Sequence, residues 1–301
     1  MLTAHANRSR CPDTMTKWPL PSFFRSNPAS QIQPDRTTSP SFQILSDLHL
    51  EATKSYRTFT VPPRSTNLIL AGDIGRLVDY ADYLHFLRQQ TAQFARVFLV
   101  LGNHEFYGLS HHEGIQKARE LAQEPSLEDR VILLDRGRYD ILDTKVTVLG
   151  CSLWTFVPDK NKEDVRSKIQ DYRMIDGWSI DAHNRAHRED LAWLQEQIRL
   201  IKEKESGRQI VVVTHHAPMS KGTSEPQHAG SAVSSAFATD LLVNRTLRKG
   251  EWDGVKMWVF GHTHFSTEFE KGGIRVVSNQ RGYAMPWMEK KDFDTGKVVH
   301  L

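Results

Sequence analysis

Histidine, aspartate and asparagine side chains gather in five short segments of this 301-residue chain. The segments are Asp47-Leu48-His49, Gly72-Asp73, Gly102-Asn103-His104-Glu105, His215-His216 and His262-Thr263-His264. Imidazole nitrogens, carboxylates and an amide oxygen, without a thiolate, are donors typical of a Zn, Fe or Mn site. They outnumber the roughly four to six ligands of one ion. We therefore expect two metal ions about 4 Å apart that share one carboxylate.

Each of these segments directly follows a predicted β-strand. Short β-rich runs predict strands at 42–45, 67–70, 97–101, 131–134, 145–149, 209–213, 256–260 and 274–277. Ligands of open α/β sheets bind beyond the carboxyl ends of the strands. We therefore expect the five segments to converge on one site.

Helical patterns lie between the strands. Apolar side chains recur at helical spacing over 79–94 and 188–204, which predicts amphipathic helices. Strands that alternate with helices predict an α/β fold, here as a single domain over 42–301 whose length also suits two packed sheets. Residues 1–41 contain six prolines and no apolar periodicity, so we predict a disordered tail.

Composition excludes several classes of protein. The 39 Lys+Arg residues nearly balance the 36 Asp+Glu residues and form no basic run, so duplex nucleic acid is not an expected partner. No apolar run approaches the roughly 20 residues that span a membrane. Two cysteines, Cys11 and Cys151, are too few for a disulfide scaffold or a cysteine zinc site. A reducing, cytoplasmic location fits this composition best.

Taken in order, the five segments resemble the signature blocks of the calcineurin-like metallophosphoesterase superfamily. The resemblance covers roughly residues 42 to 282. Asp171-Tyr172-Arg173, Thr214-His215-His216-Ala217-Pro218, Ala236-Phe237 and Asn279-Gln280-Arg281-Gly282-Tyr283 are similar to the small single-domain branch of microbes and fungi. The resemblance implies a two-sheet α/β sandwich flanked by helices, and hydrolysis of a phosphoester.

The resemblance also implies a role for each donor residue. The implied ligands are Asp47, His49 and His264 for one metal, Asn103, His215 and His262 for the other, and Asp73 as the bridge. A hydroxide held between the metals would attack phosphorus in line, and His104 would assist the leaving oxygen. Glu105 would orient His104 or cap the local backbone.

Several neighbouring residues allow two interpretations. His216 is either a substrate contact or a neighbour that supports His215. Arg173 and Arg281 are candidate phosphate clamps, because a guanidinium matches two phosphate oxygens, although surface ion pairs are an equal alternative. His183 and His187 have the spacing of a zinc pair, but we expect a solvated helix face, because no Glu follows the first His.

The substrate class stays open between a phosphomonoester and a phosphodiester. The near-neutral charge and the absence of an appended module favour a small soluble phosphoester. A non-enzymatic scaffold that keeps this fold is the alternative function. Such scaffolds typically lose metal ligands or the catalytic histidine, and both are intact in this sequence.

Overall fold

The computed structural model describes residues 39–228, 230–243, 250–283 and 292–301. The predicted tail over residues 1–41 lies almost wholly outside these ranges. Within them, the chain forms two mixed β-sheets flanked by helices, the architecture that the resemblance implied. None of the described helices has both the length and the apolar character needed to cross a bilayer.

Eleven strands build the two sheets in the described ranges. In chain order they are β1 (Ser41–Leu45), β2 (Asn67–Ala71), β3 (Arg96–Val100), β4 (Val131–Leu133), β5 (Gly137–Asp140), β6 (Val146–Cys151), β7 (Gln209–Thr214), β8 (Val255–Phe260), β9 (Glu268–Lys271), β10 (Ile274–Ser278) and β11 (Val298–His300). The first sheet has the order β11-β1-β2-β3-β4, and the second has the order β5-β6-β7-β8-β10-β9. Pairing is parallel except for β11, β5 and β9, each of which joins its sheet antiparallel.

The α-helices cover the outer faces of the sheets. They are α1 (Leu50–Thr53), α2 (Tyr80–Thr91), α3 (His111–Ala122), α4 (Lys162–Lys168), α5 (Asp171–Met174) and α6 (Ile180–Lys204). Apolar residues of α2 and α3 pack with β2 and β3 of the first sheet. Leu194, Ile198 and Ile201 of α6 pack with β7 and β8 of the second.

The innermost core lies between the two sheets. Phe42, Ile69 and Phe98 of the first sheet share an apolar cluster with Val211 and Val259 of the second. All five side chains are essentially inaccessible to water. Strands buried on both faces carry nearly continuous apolar runs, which explains why the sequence predicts these strands.

The eight predicted strands are all present, with ends shifted by at most two residues. Sequence analysis missed β5, β9 and β11, which lie at sheet edges. The first two bury little: β5 is partly exposed throughout, and exposed Glu268 and Glu270 alternate with half-buried residues in β9. Edge strands of this kind lack a strong apolar pattern.

Candidate metal centre

The five donor segments converge at one edge of the molecule. Three of them follow β1, β2 and β3 of the first sheet, and the other two follow β7 and β8 of the second. These strands are parallel within each sheet, so their carboxyl ends meet at the same edge. The site therefore straddles both layers of the sandwich.

Asp47, His49 and His264 form the first donor group. One ligand atom from each lies within 4.8 Å of the others. The Nε2 atoms of His49 and His264 are 2.9 Å apart, and His264 Nε2 is 3.4 Å from Asp47 Oδ1. The main-chain N–H of His262 donates to the Asp47 carboxylate, so Asp47 also ties the β1 segment to the β8 segment.

Asp73, His215 and His262 form the second donor group, and their ligand atoms also lie within 4.8 Å of one another. His215 Nε2 is 3.1 Å from His262 Nδ1 and 3.4 Å from Asp73 Oδ1. The amide oxygen of Asn103 lies 3.1 Å from the same His215 nitrogen. These four side chains therefore face one point.

Asp73 lies between the two groups. Its Oδ1 faces His215 at 3.4 Å, and its Oδ2 lies 3.8 Å from His49 Nε2. Donor atoms in adjacent positions around an ion with bonds of about 2.1 Å are about 3 Å apart. The spacing of the imidazole nitrogens and the chemistry of the donors thus fit two metal ions, with Asp73 placed to contact both.

Burial and charge set the protonation of these donors. Burial favours the neutral form of Asp73, but His215 and His104 hold its pKa well below the usual range, so it is a carboxylate. Burial lowers the pKa of His262 well below its ordinary value, which leaves a neutral imidazole. Carboxylate and neutral imidazole are the forms that bind a metal ion, so Asp73 and His262 are ready to bind. Burial favours the neutral form of His215, but the carboxylates of Asp73 and Asp47 raise its pKa to about 9, so this imidazole releases a proton when a metal binds.

Hydrogen bonds behind the donors fix their orientation. His215 Nδ1 lies 3.0 Å from the carbonyl oxygen of Ala71, which leaves Nε2 free to face the site. The Asn103 Nδ2 group donates to Asp171 at 2.8 Å, so its amide oxygen points toward His215. The Tyr107 hydroxyl also donates to Asp171. Asp171, quoted above only as part of a motif, therefore positions the candidate ligand Asn103.

His104 lies beside the donor groups at the opening of the site, with a side chain that is 12% exposed. Its Nδ1 is 2.8 Å from Glu51 Oε1, and its Nε2 is 3.1 Å from the Tyr283 hydroxyl. Burial alone would lower the pKa of His104, but the carboxylates of Asp73 and Glu51 raise it to about 9. Sequence analysis did not consider Glu51, and it quoted Tyr283 only as part of a motif.

The Glu105 carboxylate contacts the main chain rather than His104. Its carboxylate accepts hydrogen bonds from the main-chain N–H groups of Asp73, Ile74 and Gly102. Of the two roles expected for it, the backbone cap is the one observed. Glu51 makes the contact with His104 that sequence analysis allowed for Glu105.

The backbone at the site is strained. Five candidate ligands have left-handed φ values: Asp47 at 53°, His49 at 45°, Asp73 at 52°, His262 at 71° and His264 at 53°. This conformation is unfavourable for side chains with a Cβ, and less so for aspartate than for histidine. Such outliers cluster at functional sites, where the surrounding structure holds them in place.

A family model described as calcineurin-like phosphoesterase matches residues 41–266, three quarters of the chain and every donor segment. The chain belongs to the calcineurin-like phosphoesterase family. A protein of Acanthamoeba polyphaga mimivirus is 27% identical over 270 residues, which cover 80% of this chain and 91% of that protein.

Two solved structures are similar to this chain in fold. A phosphopantetheinyl hydrolase from Mycobacterium tuberculosis superposes with a TM-score of 0.65 at 17% identity, over 88% of this chain and 96% of that one. A dimetal phosphatase from Danio rerio gives a TM-score of 0.48 at 13% identity, over 81% and 88% of the two chains. At 17% identity, the similarity to the mycobacterial hydrolase establishes the fold alone.

Other residues considered from the sequence do not join the two donor groups. Arg173 is exposed on α5, and no contact within the described ranges joins its guanidinium to the donor groups. His216 is wholly buried, with its ring 4.2 Å from that of His262, a position better suited to packing than to substrate contact. Arg281 donates to the carbonyl oxygen of Leu48 and lies over the Phe59 ring, so it holds backbone.

His183 and His187 correct an expectation. They were predicted to lie on a solvated helix face, but both are buried in the first turns of α6. His183 Nε2 lies 2.9 Å from the Thr155 hydroxyl, and His187 Nδ1 donates to the carbonyl oxygen of Trp154. These polar contacts allow imidazoles to replace apolar residues on the buried face. The prediction of a solvated face is therefore wrong.

Proposed function

We propose that this phosphoesterase hydrolyses the ester of a small soluble substrate with two bound metal ions. One observation carries the proposal. The seven expected ligands from five separate strand ends lie together, and His104 stands beside them at the opening. That arrangement supports the assignment of Asp47, His49 and His264 to one ion, of Asn103, His215 and His262 to the other, and of Asp73 to both.

Two bound ions supply Lewis acidity that neutralises phosphoryl charge and activates water for in-line attack. The protein residues do the rest. Asp73 fixes the separation of the two donor groups. His104 donates a proton from Nε2 to the leaving oxygen, because Glu51 engages Nδ1 and Nε2 lies 4.0 Å from Asp73 Oδ2, on the side of the donor groups. Tyr283 lies over His49 and contacts His104, so its side chain limits access from outside.

The proposed substrate is a class of compound, a small phosphoester. Balanced charge supports a small phosphoester rather than duplex nucleic acid, and metal-dependent nicking of plasmid DNA at physiological salt would contradict this. Manganese, iron and zinc all suit the donors. The name of the mycobacterial neighbour makes a phosphopantetheinyl ester a reasonable member of a substrate panel. The low cysteine content supports a cytoplasmic location.

The first test compares two chromogenic substrates. Protein reconstituted with Mn²⁺ is assayed on p-nitrophenyl phosphate and on bis-p-nitrophenyl phosphate, with chelator-treated protein as the blank. Hydrolysis of either ester that depends on metal supports the proposal, and the ratio of the two rates separates phosphatase from phosphodiesterase activity. Bound metal with no hydrolysis of either ester would support a scaffold instead.

Two variants separate the ligands from the proton donor. Asp73→Ala should abolish activity and lower the metal content, because it deletes the shared carboxylate. His104→Ala should keep the metals and slow turnover by about 10²-fold or more. His112→Ala, which removes an exposed imidazole at the start of α3, is the matched control. Loss of both metals in His104→Ala would show that His104 is a ligand.

A further inference from the structure

A cavity of about 890 Å³ lies next to the candidate metal centre, lined by residues from 220–228, 230–238 and 263–269. The rings of Phe237, Phe265 and Phe269 form much of its wall, together with Val233. Serine and threonine side chains complete the lining, and Lys221 supplies a positive charge. No carboxylate is found among its described lining residues. The cavity therefore suits a largely apolar group attached to an anion.

Two residues connect this cavity to the metal centre. Phe237 lines the cavity, and its ring lies 4.8 Å from the ring of the candidate ligand His262. Thr263, which separates His262 from His264 in the sequence, lines the cavity as well. A substrate whose phosphoryl group lies at the metals can therefore extend past Phe237 into the cavity.

The proton donor faces a different side of the centre. His104 contacts Glu51 and Tyr283, and its ring packs 4.4 Å from that of His49. His262 is instead surrounded by His215, His216 and Phe237. A leaving oxygen that receives a proton from His104 thus lies at the His49 side, away from the cavity.

We propose that the cavity binds the ester group that stays on phosphorus, so that the substrate is a phosphodiester with one extended, mostly apolar substituent. The inference rests on the proposed hydrolysis and on the role of His104. Pockets that enclose a whole organic ligand have volumes of about 300–1,000 Å³, and this cavity falls in that range. A phosphomonoester has no second substituent to fill it.

The test uses diesters that differ only in the retained group. The Mn²⁺-loaded full chain is given methyl, butyl and octyl p-nitrophenyl phosphate. Water adds to phosphorus, the bond to p-nitrophenolate breaks, and the alkyl phosphate monoester remains. Because each buried methylene strengthens binding, less the cost of ordering the chain, kcat/KM for the octyl ester should exceed that for the methyl ester by about 30-fold. Equal values for the three esters would overturn the inference.

Filling the cavity should remove this preference. Ser234→Trp and Thr267→Trp place an indole at two different walls, and in each the ratio of octyl to methyl kcat/KM should fall to about threefold or less. Ser126→Trp, at an exposed serine outside the cavity, should keep the wild-type ratio. The ratio is taken within each variant, so a general loss of active protein does not imitate the effect. An unchanged ratio in both cavity variants would place the alkyl group elsewhere.

Binding without turnover separates this inference from the proposed function. Calorimetric titration of chelator-treated protein with the same esters should give tighter binding of the octyl ester, and both cavity variants should lose the difference. Chain-length-dependent binding with no hydrolysis under any metal would support the cavity and contradict the proposed function. Hydrolysis of all three esters, with neither kcat/KM nor binding dependent on chain length, would support the proposed function and contradict the role of the cavity.

Discussion

Glu51 holds the imidazole of His104 through one carboxylate oxygen, at 2.8 Å from Nδ1. Hydrogen bonds from His104 and His49 bring the pKa of this carboxyl to about 2 against the opposing effect of burial. We expect Glu51→Ala to lower kcat by about 10- to 100-fold with little change in KM, because the imidazole loses its orientation. Glu51→Gln should recover part of this loss, since an amide oxygen also accepts the bond.

Metal content distinguishes positioning of His104 from a ligand effect, because Glu51 also lies 3.3 Å from His49 Nδ1. The measurement is kcat at saturating Mn²⁺ together with the metal stoichiometry. Glu163→Ala, which removes an exposed carboxylate of α4, is the control and should behave as wild type. If added metal fully restored the activity of Glu51→Ala, Glu51 would act through the ligand His49 alone.

Gly102 allows the β2 and β3 segments to approach each other. A Cβ at this position would lie 2.2 Å from Asp73 Oδ1 and 2.8 Å from His215 Cε1. Gly102→Ala should therefore displace Asp73 and reduce metal binding and kcat/KM by about 100-fold or more. In the control Gly296→Ala, the nearest atom would be 3.4 Å from the new Cβ. Full metal occupancy in Gly102→Ala by elemental analysis would contradict this account.

At the scale of elements, α6 places a buried carboxylate against the segment that follows β6. Asp190 is almost fully buried, and burial raises its pKa to about 7 despite Arg136, while Asp135 adds to the increase. The Nε atom of Arg136 is 4.0 Å away, and the main-chain N–H groups of Leu153 and Trp154 contact the carboxylate. The folded protein therefore keeps a proton here that the unfolded chain loses near pH 4.

This difference predicts a pH dependence of stability. Between about pH 4 and pH 7 the folded state binds more protons at Asp190, so its contribution to the free energy of unfolding falls as pH rises. Asp190→Asn cannot ionise and should gain stability relative to wild type across this window, by on the order of 2–4 kcal/mol. Urea unfolding at several pH values measures the gain, with exposed Asp181→Asn of the same helix as control. If the difference in the free energy of unfolding between Asp190→Asn and wild type did not vary with pH, the raised pKa of Asp190 would be contradicted.

The sequence predicted the elements that are buried on both faces and the segments that follow them. Those strands carry continuous apolar runs, and their polar ends are distinct in composition. It could not predict Glu51 as the partner of His104, because that contact joins residues 53 positions apart and depends on how α1 packs. The start of α6 was missed by eight residues, since buried His183 and His187 interrupt its apolar pattern.

At the scale of the whole molecule, the candidate metal centre draws its donors from both sheets. Asp47, Asp73 and Asn103 come from the first sheet, and His215 and His262 come from the second. Bound ions should therefore stabilise the sandwich as a unit. With free Mn²⁺ at about 100 times its dissociation constant, the gain is about 2.7 kcal/mol per site, and the midpoint of thermal unfolding should rise relative to chelated protein.

Asp73→Ala provides the comparison for this thermal shift. It should lose most of the response to Mn²⁺, because both donor groups depend on its carboxylate. Differential scanning calorimetry with chelator and with Mn²⁺ measures both proteins. Identical unfolding temperatures of the wild-type protein in the two conditions would mean that the centre does not bind Mn²⁺ in the folded state.

The left-handed backbone at five candidate ligands means that a change which increases folding stability there can remove a metal donor. The histidines at His49, His262 and His264 each cost about 1–2 kcal/mol relative to a residue that adopts this conformation freely, whereas aspartate tolerates it better. A random library selected only for heat resistance in the presence of chelator should therefore accumulate glycine and asparagine at His49, His262 and His264. Such a lineage would become more robust while it lost the centre, so selection for a durable form of this protein has to be carried out with metal present.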